Sequence, residues 1–337
     1  MPIIHESQYR PPWLFSNGHL QTIYPSLLRR MEHGFYDRER IETSDNDFLD
    51  IDWARGGNNR VVVLSHGLEG NSHRPYMVGM AKMLNQYGWD VAAWNYRSCS
   101  GEMNRQVRFY HNGSIDDLGR VVEHVLSTGA YQSLALIGFS LGGNLTLVYL
   151  GSQARTLDTR IQKAIAFSAP CNLSSSANEL ARPMNRLYMR QFLDSLHEKI
   201  KKKQIMLQGR INDHDFQHVK NFKDFDNRYT APIHGFKDAE DYWKQCSSGQ
   251  FLPMITIPTL IVNARNDPFL ADGCYPVQEA SRSKYVYLET PASGGHIGFI
   301  QFNSEHRYWS EERAREFLEN DVVVAGFKPA HARPERG

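Results

Sequence analysis

Ser140, Asp267 and His296 are the residues of this chain whose types and placement could together make an activated nucleophile. A serine hydroxyl is weakly nucleophilic near neutral pH. It needs a base within hydrogen-bond reach, and the base must be oriented by a third group. Ser140 is the centre of Gly138-Phe139-Ser140-Leu141-Gly142, with the apolar run Leu134-Ala135-Leu136-Ile137 before it and a helical pattern after it. That order predicts strand, sharp turn and helix, with glycines on both sides relieving the crowding at the apex. Asp267 falls in Arg265-Asn266-Asp267-Pro268, after a strand-like run ending near Ala264. His296 follows Ser293-Gly294-Gly295, after a second run ending near Glu289. Each has a plainer reading alone: a glycine-rich turn, an Asp-Pro turn initiator, a loop histidine. Joint placement at the carboxyl ends of strands, in the order Ser, Asp, His, favours one site.

The chemistry this predicts is acyl transfer. His296 removes the Ser140 proton as the hydroxyl attacks an ester carbonyl, Asp267 holds the imidazole tautomer, and water or an alcohol resolves the acyl-enzyme. Backbone amides must receive the developing oxyanion. Leu141, directly after the nucleophile, offers one. Leu68, in His66-Gly67-Leu68 after an early strand, offers the other. His66 is expected to be structural, as is His19, the latter by satisfying a buried backbone group. The mechanism calls for no metal and no organic cofactor, and neither is expected.

The elements that must position these residues alternate. Arg40 to Trp53 reads as an antiparallel pair turning at Ser44-Asp45-Asn46-Asp47, and Val61-Val62-Val63-Leu64 as a strand buried on both faces. Pro75 opens a helix with Met77, Met80, Ala81 and Leu84 on one face, and Asp90 to Asn95 is a strand. Ser114 is expected to cap a helix carrying Leu118, Val121, Val122 and Val125. Strands follow at Ala164 to Phe167, Pro258 to Asn263 and Tyr285 to Leu288, then a helix capped by Ser310 that buries Ala314, Phe317 and Leu318. This is an α/β pattern with a mostly parallel, doubly wound sheet. The alternation breaks between Cys171 and Met254, where helical stretches such as Met184 to Lys203 and scattered aromatics predict a helical cap over the carboxyl edge. Lys201-Lys202-Lys203 reads as a solvated helix end.

The 337 residues suffice for one large core with an inserted smaller unit. A formal net charge of +1 gives no global field for nucleic acid or an anionic membrane. Four cysteines without C-x-x-C spacing suggest neither zinc nor disulfides and read as reduced, buried thiols. No apolar run approaches the ~18 residues of a spanning helix, and the start Met1-Pro2-Ile3-Ile4-His5-Glu6 lacks a leader pattern. The expectation is a cytoplasmic protein without stable membrane insertion, peripheral contact being left open, and with no signature of oligomeric state.

Asn17-Gly18-His19-Leu20-Gln21-Thr22-Ile23, His66-Gly67-Leu68-Glu69-Gly70, Asn95-Tyr96-Arg97, Gly138 to Asn144, Thr230-Ala231-Pro232-Ile233-His234-Gly235-Phe236, Asn266-Asp267-Pro268 and Gly295-His296 resemble the α/β-hydrolase superfamily. More narrowly they resemble its YheT-like subfamily. Ser98 stands where that pattern has glycine, and Asn266 where it often has a second aspartate. The resemblance implies the α/β-hydrolase fold and carboxylic ester hydrolysis, with Ser140, Asp267 and His296 at the subfamily's catalytic positions. The expected layout is an N-terminal arm over 1–40, a core over 41–170 and 255–325, a cap over 171–254 and a tail over 326–337. The expected activity is that of a serine carboxylesterase on a small, lipophilic, short- to medium-chain acyl ester. Alternatives are an alcohol acyltransferase using the same acyl-enzyme, and a non-catalytic ligand-binding protein.

Overall fold

The computed structural model describes residues 3–320, so the tail expected over 326–337 lies outside the described residues. The strands are β1 (Ile3–Ile4), β2 (Asp37–Glu42), β3 (Phe48–Ala54), β4 (Arg60–Ser65), β5 (Asp90–Asn95), β6 (Ser133–Phe139), β7 (Ile161–Phe167), β8 (Thr259–Val262) and β9 (Val286–Glu289). They form one nine-stranded sheet in the order β1-β9-β8-β7-β6-β4-β5-β3-β2. Pairing is parallel from β1 through β5, and antiparallel where β3 joins β5 and β2 joins β3. The predicted hairpin is therefore one edge of the sheet. The other edge, β1, comes from the N-terminal segment, where two residues are too few to leave a strand pattern.

Alternation along β4 explains why the sheet is covered on both sides. Val61 and Val63 enter a core with Leu118, Val121 and Leu145, while Val62 and Leu64 enter another with Met77, Met80 and Phe317. Helices α1 (Gly18–Leu28), α2 (Pro75–Gln86), α3 (Ile115–Ser127) and α4 (Leu141–Ser152) precede β7. Between β7 and β8 lie α5 (Leu173–Leu180), α6 (Arg186–Met206), α7 (Phe222–Phe225), α8 (Ala231–His234) and α9 (Ala239–Cys246). After β8 come α10 (Val277–Arg282) and α11 (Trp309–Glu319). The inserted helices build a further apolar cluster on Leu180, Met189, Leu193, Ile200, Phe216 and Phe225, which Phe269 from the loop after β8 joins.

Local chemistry differs from expectation at three helix ends. Ser114 precedes α3, but its hydroxyl accepts from His111 N (2.9 Å) and not from a helix amide. Ser310 lies inside α11 and is buried. That helix starts two residues earlier, capped at Tyr308, where the Glu311 carboxylate accepts from Tyr308 N (3.1 Å). Lys203 is not solvated: its side chain is buried and its ammonium donates to the carbonyls of Gln106, Val107 and Arg108. Three donors meeting three acceptors make this lysine a pin between α6 and the loop before α3. The cysteines are free and buried, and among the described residues no helix is long and apolar enough to cross a membrane.

Candidate active site

The turn after β6 is closely packed. Ser140 has φ 54°, a left-handed value that costs a non-glycine residue energy, and its amide donates to Phe167 O (2.8 Å) on β7. A side chain at position 138 would run into the backbone of Gly142, and one at 142 into the carbonyls of Ser65 and His66. The two glycines are therefore what lets β6, β4 and α4 meet here. Ser140 is held above the centre of the sheet, at the carboxyl end of β6.

β8 and β9 end on the same edge. His296 Nε2 lies 2.8 Å from Ser140 Oγ, and His296 Nδ1 lies 2.9 and 3.1 Å from the two Asp267 carboxylate oxygens. Asp267 is 4% exposed, and its Oδ1 also accepts from Phe269 N (2.9 Å). With Nδ1 donating to a carboxylate, Nε2 is left as the acceptor facing the serine hydroxyl. Phe269 lies against the imidazole at a ring separation of 4.2 Å, shielding one side of it from water.

Sequence reasoning missed what holds His296. Its amide donates to Thr22 Oγ1 (2.9 Å) on α1, whose hydroxyl donates to Gly18 O (2.7 Å). Gly18 sits so close to Asn266 that a β-carbon there would strike the Asn266 carbonyl. Asn266 joins the same support, accepting from Gly295 N (3.0 Å) and donating to Ser16 O (2.8 Å). The segment 16–22 thus braces both loops that carry Asp267 and His296. Among the described residues the His19 ring satisfies no buried backbone group, contrary to expectation. It meets Tyr188 Oη at 3.2 Å and stacks on that ring, because α6 crosses α1 at this point.

Leu68 and Leu141 line one cavity with Ser140 and His296. Leu141 is the first residue of α4, so its N–H has no acceptor within the helix. In the loop after β4, Gly67 N donates to Tyr76 Oη (3.0 Å), Glu69 N to Tyr110 Oη (2.8 Å) and Gly70 N to Gly67 O (3.0 Å). Leu68 N is left without an acceptor among the described residues. Glu69 anchors this loop to α6, its carboxylate accepting from Tyr110 Oη (2.6 Å), Lys199 Nζ (2.8 Å) and Ser195 Oγ (2.5 Å). His66 is fully buried, with Nδ1 2.7 Å from Gly67 O and Nε2 accepting from Tyr96 N (3.2 Å). Burial pushes its pKa down to about 3, so it is a neutral loop brace, as expected.

The apolar part of the cavity comes largely from the inserted helices, from Leu180, Phe192, Leu196, Phe222, Phe225 and Ile233. The aromatics singled out in the sequence divide. Phe225 and Tyr229 serve both the inserted core and the cavity wall, whereas Phe236 packs on Tyr242 outside that wall. Among the described residues no group of three His, Cys, Asp or Glu side chains is arranged to hold a metal ion.

One carboxyl in this wall carries a pH dependence. Burial pushes Asp226 up to about 6, against hydrogen bonds from Thr230 Oγ1 (2.6 Å) and Trp243 Nε1 (2.8 Å) that pull it down. An unfolded aspartate titrates near 3.9, so between these values the folded chain holds the extra proton. Stability from this group is therefore present below about pH 4 and lost as pH rises through 6. Asp226→Asn is expected to raise the unfolding free energy by about 1–3 kcal/mol at neutral pH, with a much smaller effect near pH 4. Urea unfolding at the two pH values checks this, and equal effects at both would contradict it.

A family model described as alpha/beta hydrolase fold matches residues 60–302. The chain is 33% identical over 319 residues to the Escherichia coli protein named "Putative esterase YheT", covering 93% of each. It is 29% identical to the mouse phospholipase ABHD3, covering 89% of this chain and 75% of that one. Among solved structures, the esterase Pf2001 of Pyrococcus furiosus superposes with a TM-score of 0.56 at 19% identity, covering 84% of this chain and 91% of that one.

Proposed function

The chain belongs to the α/β-hydrolase family, on its YheT-like branch, and from that premise we propose that it is a serine carboxylic ester hydrolase. The observation that carries this reading is the relay in the wall of a cavity with a large apolar part: Ser140 Oγ to His296 Nε2 at 2.8 Å and His296 Nδ1 to Asp267 at 2.9 Å. His296 takes the Ser140 proton as Oγ bonds to the ester carbonyl carbon. Asp267 fixes the tautomer and stabilises the imidazolium. The amides of Leu68 and Leu141 donate to the tetrahedral oxyanion, each worth ~3 kcal/mol of barrier. Collapse expels the alcohol with the proton from His296, and water repeats the sequence to release the acid and free Ser140.

Residues 171–254 act as a cap in this reading, supplying an apolar wall suited to a short- to medium-chain acyl group. Relatives named as an esterase and a phospholipase agree with ester chemistry without fixing the substrate. The test is turnover of p-nitrophenyl esters from acetate to palmitate by the purified protein. A maximum between butyrate and decanoate is expected, with free acid as the product even when ethanol is present. No turnover along the series would overturn the proposal, and an excess of ethyl ester would replace it by acyl transfer.

A further inference from the structure

The motif Thr230 to Phe236 has no part in the relay, yet it meets the loop before α3 inside the same cavity. His111, Asn112, Thr230, His234 and Tyr242 line that cavity together with Ser140. Its hydrogen bonds fix where the protons lie. Asn144, one helical turn along α4 from Ser140, directs its side-chain amide nitrogen to Cys246 O (2.9 Å) and Asn112 Oδ1 (3.3 Å), while its oxygen accepts from Ser248 N (2.9 Å). Asn112 is thereby oriented with its NH₂ toward Tyr242, whose hydroxyl oxygen accepts from both Asn112 Nδ2 and Asn112 N (3.0 Å each). An oxygen that accepts two donors has its own proton left to give. Among the described residues the Tyr242 hydroxyl finds no acceptor for it.

His111 is in the same position. Its Nδ1 accepts from Gly113 N (3.1 Å), which places the proton on Nε2, and Nε2 has no partner among the described residues. The ring lies edge to face against His234 at 4.4 Å and near Tyr242 at 5.8 Å. Two donors without protein acceptors, facing one cavity, are costly unless something in that cavity accepts from them.

We propose that Tyr242 Oη–H and His111 Nε2–H form a subsite that binds a second, neutral oxygen of the substrate, so that the preferred esters carry a hydroxyl or carbonyl besides the scissile one. This rests on the ester-hydrolase reading and narrows it. An anionic group does not fit. Burial keeps His111 far below its ordinary range and pushes His234 down to about 4, so both rings are neutral, and the Asp226 carboxyl bears on Tyr242. A site that donates to a substrate oxygen discriminates against an analogue lacking it, because its donors are then buried unpaired. The second oxygen can sit on the alcohol side or the acyl side of the ester.

Binding to the Ser140→Ala protein, measured by calorimetry, separates this from turnover. Two isosteric pairs are compared: ethylene glycol monooctanoate with propyl octanoate for the alcohol side, and methyl omega-hydroxyoctanoate with methyl nonanoate for the acyl side. The hydroxyl-bearing member of one pair is expected to bind about tenfold more tightly, and Tyr242→Phe or His111→Leu in the same background to bring that ratio close to one. His111→Leu leaves the Asn112–Tyr242 bonds in place, so it decides the matter if Tyr242→Phe does not fold. Ratios near one before any second substitution, no binding of either member, or a ratio unmoved by both substitutions would each overturn the subsite. Wild-type turnover of all four esters is recorded alongside. Turnover without discrimination removes the subsite alone, and discrimination without turnover removes the hydrolase reading alone.

Discussion

Replacing Ser140 by alanine is expected to lower kcat/KM on p-nitrophenyl butyrate by about 10⁴- to 10⁶-fold, equivalent to about 5–8 kcal/mol of barrier. The substitution removes one oxygen from a half-buried position and leaves the folded state little to lose. The left-handed backbone at position 140 is imposed by β6, β4 and α4 through Gly138 and Gly142, and the amide bond to Phe167 O does not involve the side chain. The melting temperature should change by only a few degrees while turnover disappears. Steady-state kinetics beside a thermal melt checks both halves. A loss smaller than about tenfold would mean that another group attacks the ester.

Asp267→Asn tests the relay from its far end and is expected to reduce kcat by about 10⁴-fold, with KM changed much less. The reason is local. Phe269 N donates to Asp267 Oδ1 (2.9 Å), so an asparagine would place its oxygen there and its NH₂ where Oδ2 now faces His296 Nδ1 at 2.9 Å. A donor facing Nδ1 moves the imidazole proton to Nε2. That nitrogen, 2.8 Å from Ser140 Oγ, can then no longer accept the serine proton. Both the geometry and the packing under Phe269 survive while the tautomer is wrong. Activity within tenfold of wild type would show that His296 does not depend on Asp267 for its orientation.

How much of this was readable from the chain depends on how far each feature reaches. The elbow was readable because Ser140's backbone conformation demands small neighbours at 138 and 142, and that demand is written locally. Parallel strands were readable from short apolar runs followed by turn residues, which put Ser140, Asp267 and His296 on one sheet edge. What holds His296 was not readable, because Thr22 is 274 positions away and an ordinary helical threonine until α1 meets the loop. Lys203 failed for the same reason. A lysine in a run of three looks solvated unless the carbonyls of residues 106–108 are known to face it. The free protons of Tyr242 and His111 follow only from tracing bonds through Asn144 and Asn112, four residues from three separate segments.

The most direct measurement is labelling of the purified protein with a fluorophosphonate, followed by intact mass and peptide mapping. Such a probe bonds rapidly to a serine whose proton is being removed and only slowly to an ordinary hydroxyl. The account predicts a single adduct on the peptide carrying Ser140, absent from Ser140→Ala and strongly slowed in Asp267→Asn. An adduct on another residue, or labelling undiminished in Ser140→Ala, would contradict it.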